Sequence, residues 1–231
     1  SSKKITLEKE VIAGTLRDNI LALVFIDNSI ALYDLVQNKI IFKEYYEHSF
    51  LNDIKIANPY FMDKMVLFPT LDGKIIVVDL DTKKVIKDIV VSSSKEINNI
   101  IYLGVIQDNF IASTSKKIIS IGNGAIHTKD YDISSIVSSK SNIFIATIDG
   151  KIIKLDKNLT SIASKKYKFA NFFTMLYANN SIYTLESQEY IVVLDDNFTK
   201  ETIYEFDFDN EEYAVAIGNT IYFEDKYLEI K

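Results

Sequence analysis

The sequence predicts an all-β protein: a six-bladed β-propeller of four-stranded antiparallel blades, spanning residues 1–231 as a single domain. Three observations carry this expectation. Apolar residues fall in short, β-branched blocks bounded by turn residues. Asp-Asn or Asp-Gly pairs stand between such blocks, at Asp27-Asn28, Asp72-Gly73 and Asp149-Gly150. The block-and-turn unit then recurs along the chain.

The repeat emerges when the strand after each hairpin turn is aligned. The six segments are Ile30-Ala-Leu-Tyr-Asp34, Ile75-Ile-Val-Val-Asp79, Ile118-Ile-Ser-Ile-Gly122, Ile152-Ile-Lys-Leu-Asp156, Ile191-Val-Val-Leu-Asp195 and Tyr227-Leu-Glu-Ile-Lys231. They begin 45, 43, 34, 39 and 36 residues apart. A four-stranded propeller blade occupies about 40–45 residues. Asp-Gly and Asp-Asn accept the positive φ angles of a tight hairpin, so the turn positions have a mechanism. Shorter turns recur one strand earlier: Arg17-Asp18-Asn19, Met62-Asp63-Lys64, Gln107-Asp108-Asn109, Asn179-Asn180-Ser181 and Gly218-Asn219.

Within the second unit the strands are expected at 53–62, 65–71, 74–80 and 84–91. In the fourth they are expected at 133–140, 143–148, 151–156 and 160–168. The sixth unit supplies three strands, and Lys3-Lys-Ile-Thr-Leu-Glu-Lys9 precedes the first unit. That N-terminal strand is expected to complete the last blade and so remove an exposed edge. A β-sandwich would also show many short strands, but it has no reason to repeat every ~39 residues. An open β-solenoid has a shorter repeat.

Composition narrows the function. Apolar residues are 48% of the chain and charged residues 25%, enough to bury a core and too much apolar content for disorder. With 26 basic and 32 acidic residues the net charge is −6, which disfavours a nucleic-acid partner. The absence of cysteine removes disulfides, thiolate catalysis and thiolate-bound metals. No apolar run reaches the ~18–20 residues of a spanning helix. The chain begins Ser-Ser-Lys-Lys. A cut boundary or a mature form trimmed of an export signal both fit that start.

The segment Lys74-Ile-Ile-Val-Val-Asp-Leu-Asp-Thr-Lys-Lys-Val-Ile86 resembles the repeat of quinoprotein-like (PQQ-like) β-propellers. Its Asp recurs as Asp34, Asp79, Asp156 and Asp195. Part of a Thr-Gly-Lys turn survives at Thr82-Lys83-Lys84. The closing Trp of that repeat is absent, with Phe42 in its place in the first unit and Lys87 in the second. The resemblance covers most of the chain. It implies the superfamily and, within it, a non-enzymatic branch such as the propeller lipoprotein of bacterial outer-membrane barrel assembly, which has eight blades. WD-repeat scaffolds match less well, since their Gly-His and Trp-Asp marks are missing.

No catalytic pattern accompanies the repeat. His48 and His127 lie in different units without a second ligand nearby. The stretch Asp207-Phe-Asp-Asn-Glu-Glu212 alternates oxygen ligands but lacks the glycine and spacing of a calcium loop. An Asp that appears once per repeat is expected to bond the amides of the following turn, because catalytic residues break a repeat's symmetry. Phosphate-cradling glycine motifs and Gly-x-Ser-x-Gly elbows are missing. We therefore expect a non-enzymatic interaction scaffold with no cofactor or metal. The apolar loop residues Phe50, Leu51, Phe169, Phe172 and Phe173 are its expected partner contacts, against the alternative that they plug the blade core.

The resemblance places the scaffold in the periplasm, anchored to the outer membrane by a lipid upstream of Ser1, with barrel-assembly components as protein partners. A cytosolic WD-repeat-like scaffold and a degenerate quinoprotein-type enzyme are the alternatives.

Overall fold

A computed structural model describes residues 4–47, 55–94, 98–205, 214–223 and 226–231. No helix occurs among them, and the strands form six antiparallel sheets in simple up-and-down order. The first contains β1 (Val11–Arg17), β2 (Ile20–Phe25), β3 (Ser29–Asp34) and β4 (Lys39–Tyr45). The second contains β5 (Tyr60–Met62), β6 (Met65–Pro69), β7 (Lys74–Asp79) and β8 (Lys84–Val90). The third contains β9 (Tyr102–Ile106), β10 (Asn109–Ser113), β11 (Lys117–Gly122) and β12 (Ala125–Asp130). The fourth contains β13 (Ile133–Ser138), β14 (Ile143–Thr147), β15 (Lys151–Leu155) and β16 (Ser161–Lys166). The fifth contains β17 (Phe172–Ala178), β18 (Ser181–Glu186), β19 (Tyr190–Asp195) and β20 (Glu201–Glu205). The sixth has three strands, β21 (Ala214–Ile217), β22 (Thr220–Phe223) and β23 (Lys226–Glu229).

The chain packs as two compact units. One is Ser1–Gly104 with Ala112–Ser115; the other is Val105–Ile111 with Lys116–Lys231. In the first unit the core joins one face of the first sheet to the second sheet. Ala22, Val24, Ile30 and Leu32 pack with Val66, Phe68, Ile76 and Val78. Phe42, at the position of the missing Trp, lies 6.5 Å from Phe68 in the same cluster. In the second unit Phe144 and Ile152 of the fourth sheet pack on Phe172, Met175 and Ile182 of the fifth. The other face of the fifth sheet, with Leu176, Leu185 and Ile191, packs on Ile221 and Phe223 of the sixth.

This two-sided packing explains the sequence pattern. The middle strands are buried on both faces, as in β3, β7, β10 and β14, so they read as continuous apolar runs. The fourth strands β8 and β20 are exposed almost throughout. A register shift recurs at the start of the first strand, between Val11 and Ala13, Ile133 and Ser135, and Phe172 and Thr174. Such bulges bend a strand and increase its twist.

Two sequence expectations change. The N-terminal segment expected as a strand is not one among the described residues. Residues 4–8 form no strand; Ile5 and Leu7 pack on Leu23, Phe25, Ala31 and Tyr33, the second face of the first sheet. An apolar face that is already formed takes up these two side chains without the backbone pairing that a strand requires. The expected strand at 53–62 shrinks to β5, three residues long. Pro59 has no N–H to donate, and the Ala57 amide bonds the Ile100 carbonyl at 2.7 Å, away from the β6 ladder.

In the first, second and fourth sheets the turn between second and third strands grips the chain that leaves the sheet. Gly73 has φ +82° and its carbonyl accepts the Val91 amide at 2.9 Å. A Cβ there would lie 2.4 Å from the Ser92 carbonyl oxygen. Gly150 repeats the arrangement, with φ +81°, a bond from the Tyr167 amide at 2.9 Å, and the Tyr167 and Ala170 carbonyls 2.6 and 2.7 Å from an added Cβ. In the first sheet Asn28 stands at the same place with φ +60°. Its side chain donates to the Glu47 carbonyl at 2.8 Å and accepts the Leu71 amide at 2.8 Å. Buried and bonded at both ends, Asn28 uses its amide to make the approach that glycine makes by lacking a side chain.

Gly150→Ala and Gly73→Ala should therefore each lower stability by roughly 2–4 kcal/mol, the sum of a left-handed backbone and a blocked close approach. Gly124→Ala, where φ is +74° but nothing lies within 4 Å, should lower it by about 1 kcal/mol. Urea unfolding followed by circular dichroism ranks the three.

Candidate interaction surface

The once-per-repeat aspartates close turns. Asp34 accepts the amides of Val36 and Gln37 at 2.8 and 2.9 Å. Asp79 accepts the Thr82 amide at 2.7 Å and its hydroxyl at 2.8 Å. Asp156 accepts the amides of Asn158 and Thr160 at 2.8 Å each. Asp195 accepts the amides of Thr199 and Lys200 at 2.7 and 2.6 Å. Bonds that favour the ionised form hold Asp34, Asp79 and Asp195 below the usual carboxylate range, led by the Gln37, Thr82 and Lys200 amides respectively. With their oxygens committed to the backbone, these groups hold the turns in shape.

Other charged groups are also spoken for. Asp149 is held well below its ordinary value, first by the Thr147 hydroxyl, then by Lys151 and Lys166. Glu186 is 4% exposed and satisfied by the amides of Asn171 and Gln188 and the Ser187 hydroxyl. Lys154 is 9% exposed and donates to the Asp196 carbonyl at 2.6 Å, with its ammonium 5.8 Å from the Phe144 ring. No group of three or more His, Cys, Asp or Glu side chains converges on a metal-sized site among the described residues. His127 lies on β12, while His48 and the stretch Asp207 to Glu212 are outside the described residues.

The aromatic loop residues separate sharply. Phe172 opens β17 with 1% exposure and meets the Tyr167 ring edge-on at 5.5 Å. Phe173 packs against the cluster between the fifth and sixth sheets. Both serve the core, and the expectation that they contact a partner is corrected: as successive residues of β17 they point to opposite faces of the fifth sheet, and each face is covered by a neighbouring sheet. Phe50 and Leu51 lie outside the described residues. Phe169 alone of the five is shown in solvent, at 78% exposure.

The loop that carries Phe169 is fixed on both sides. The Tyr167 amide bonds Gly150, the Asn171 amide bonds Glu186, and the Asn171 carbonyl accepts the Ser187 amide at 2.9 Å. At its apex Phe169 takes φ +67°, and the Lys168 ammonium sits 5.0 Å from its ring. A pocket of about 270 Å³ opens beside the loop, lined by Tyr167, Ala170, Gln188, Tyr190, Val192 and Ile203. Burial, then the neighbouring Glu201 carboxylate, push the Tyr167 hydroxyl above its ordinary value. Glu201 pairs with Lys165 at 2.7 Å. The sequence reading missed this pocket. Its lining comes from β18, β19, β20, the loop 167–170 and the turn at Gln188, positions that no linear motif joins.

No family model matches the chain. The chain is 38% identical over 203 residues to the plasminogen-binding protein PgbB of Helicobacter pylori strain J99, and 37% identical over 203 residues to the PgbB of strain 26695. Each match takes in 87% of this chain, which spans 38% and 37% of the lengths of those relatives. Among solved structures, BamB from Moraxella catarrhalis superposes with a TM-score of 0.79 at 12% identity, over 95% of this chain and 71% of that one. A computationally designed protein, Ika8, gives 0.69 over 92% of this chain and 67% of that one, at 12% identity. The β-propeller domain of Myceliophteria thermophila Cps50 (Swd1) gives 0.59 over 83% and 67%, at 12% identity. The fold is thus a β-propeller, with the six sheets as its blades.

The turn carboxylates give stability a definite pH dependence. Their folded pKa values lie below the unfolded ones, so their contribution is complete above the unfolded carboxylate pKa, near 4, and is lost as pH falls through the folded values. Melting temperature should be flat from pH 7 to about 5 and fall steeply below about 4. Asp79→Asn and Asp195→Asn should each flatten that fall, which thermal scans across the range will read.

Proposed function

We propose that this chain is a non-enzymatic, protein-binding propeller of a bacterial surface or envelope protein, with its six blades acting as one domain. The observation that carries the reading is the 38% identity, over most of this chain, to a protein named for binding plasminogen. The first ligand to test is accordingly plasminogen. The arrangement of side chains agrees: the charged groups described above are committed to turns and buried bonds, whereas an aromatic side chain is held out in solvent. Rigid, exposed aromatic residues are the usual anchors of protein interfaces.

A second reading keeps the partner within the envelope. The superposition on BamB, over 95% of this chain, favours a periplasmic scaffold held at the outer membrane that assists protein assembly there. At 12% identity that support is one of fold. The two readings differ in ligand and in location: surface exposure on intact cells belongs to the first, and co-purification with outer-membrane assembly components to the second.

In both, Phe169 is the contact we assign. Phe169→Ala should weaken capture of immobilised plasminogen at least tenfold by surface plasmon resonance, with an unchanged melting temperature. Binding of neither plasminogen nor assembly components by the unaltered chain would remove the protein-binding reading.

A further inference from the structure

We infer that Phe169 and the pocket beside it are the two halves of a self-contact through which two copies of this chain pair. The inference rests on the reading of Phe169 as a contact residue and names its partner.

The first observation is the backbone of Phe169. Among the described residues, three bulky apolar ones adopt positive φ: Leu159 at +63°, Phe198 at +62° and Phe169 at +67°. A side chain of that size in the left-handed region carries a strain of order 1–3 kcal/mol, which persists only where the surroundings fix it. Leu159 is fully buried, and Phe198 packs on the core with its ring 6.4 Å from Phe144. Burial of those two side chains offsets their strain. Phe169 has no such return among the described residues, at 78% exposure. The bonds from Tyr167 to Gly150 and from Asn171 to Glu186 nevertheless hold the loop in place and present the ring at a fixed position.

The second observation is the pocket. Its volume of about 270 Å³ is below the ~300–1,000 Å³ of small-molecule sites, and it suits a single large side chain. Tyr167, Tyr190, Val192 and Ile203 give it apolar walls. Knob and hole share one loop: Phe169 stands between Lys168 and Ala170, both of which line the pocket. A two-fold contact needs a surface that complements itself, with residue i meeting j and j meeting i. A projecting ring and a ring-sized pocket side by side supply both elements.

Charge supports the same partner. Lys168 flanks the knob, and exposed Glu189 follows Gln188 of the pocket wall. Seating the ring of one copy in the pocket of the other brings Lys168 toward the second copy's Glu189 at both ends of the contact, with each pocket's own Lys168 at its rim. A foreign partner of uniform charge would meet one attractive and one repulsive group. One buried ring per copy is a small contact, so pairing should depend on concentration.

Sedimentation velocity on the isolated chain, without ligand, tests this. The weight-average mass should rise toward twice 26.4 kDa as concentration increases. Phe169→Ala should shift the midpoint of that rise at least tenfold upward. Ile203→Asp should do the same from the pocket side, at a half-exposed position where folding tolerates a charge. Lys168→Glu should weaken pairing, and adding Glu189→Lys to it should restore pairing, while melting temperatures report that each variant folds. A chain that stays monomeric at every concentration overturns the self-contact, as does pairing indifferent to both Phe169→Ala and Ile203→Asp. If the chain is monomeric and plasminogen capture still falls in Phe169→Ala, the self-contact fails and the protein-binding reading stands. If Phe169→Ala abolishes pairing and leaves capture unchanged, the self-contact holds without that assignment.

Discussion

A hairpin whose two strands are each buried on both faces leaves little room for the chain that follows it. That chain must cross directly against the hairpin turn. The turn residue therefore has to combine a positive φ with an almost bare surface. Gly73 and Gly150 meet the requirement by having no side chain, and Asn28 meets it by spending its amide on the very groups that approach. At Gly150 the crossing also anchors one end of the loop on which Phe169 sits, through the Tyr167 amide. The crossing thus connects a backbone preference, local to one residue, to a surface feature some 20 residues along.

Much of this was legible in the sequence because it repeats. Asp-Gly turns, the Ile-rich third strands and the once-per-blade Asp each recur, and recurrence averages out local ambiguity. The turns one strand earlier also emerged correctly: Asp18, Asp63, Gln107, Asn179 and Gly218 all take positive φ. What failed was unique to one place. The N-terminal segment alternates like a strand, but its Ile5 and Leu7 are satisfied by an apolar face without pairing. Phe172 and Phe169 read alike as loop aromatics three residues apart, but Phe172 opens β17 against the fourth sheet while Phe169 stands in the loop before it. The pocket beside them depends on the spacing between strands, which a linear pattern does not encode.

The polar interior follows the same economy. Buried Lys154 and Glu186 are not paired with each other or with any reacting group; each bonds main-chain groups near the start or end of a strand. Removing either partner would strand a buried charge, so these residues hold their loops by the penalty of leaving. Their value lies in specifying where a connection attaches, more than in net stability.

The outer strands invite a colloidal reading. Each is the last in its sheet, so one side of its backbone has no strand to bond. Lys39 and Lys43 on β4, Lys84 and Lys87 on β8, Lys129 on β12, and Lys165 and Lys166 on β16 line those edges, while β20 carries Glu201 and Glu205. Docking the same edge of a second copy there would bring like charges together and strip long side chains of water. The edges are thereby guarded against fibrillar stacking, even though Ile86, Ile126 and Ile162 lie exposed among the lysines. Many such molecules can lie side by side without their sheets merging, and whatever contact they make is left to side chains at the loops.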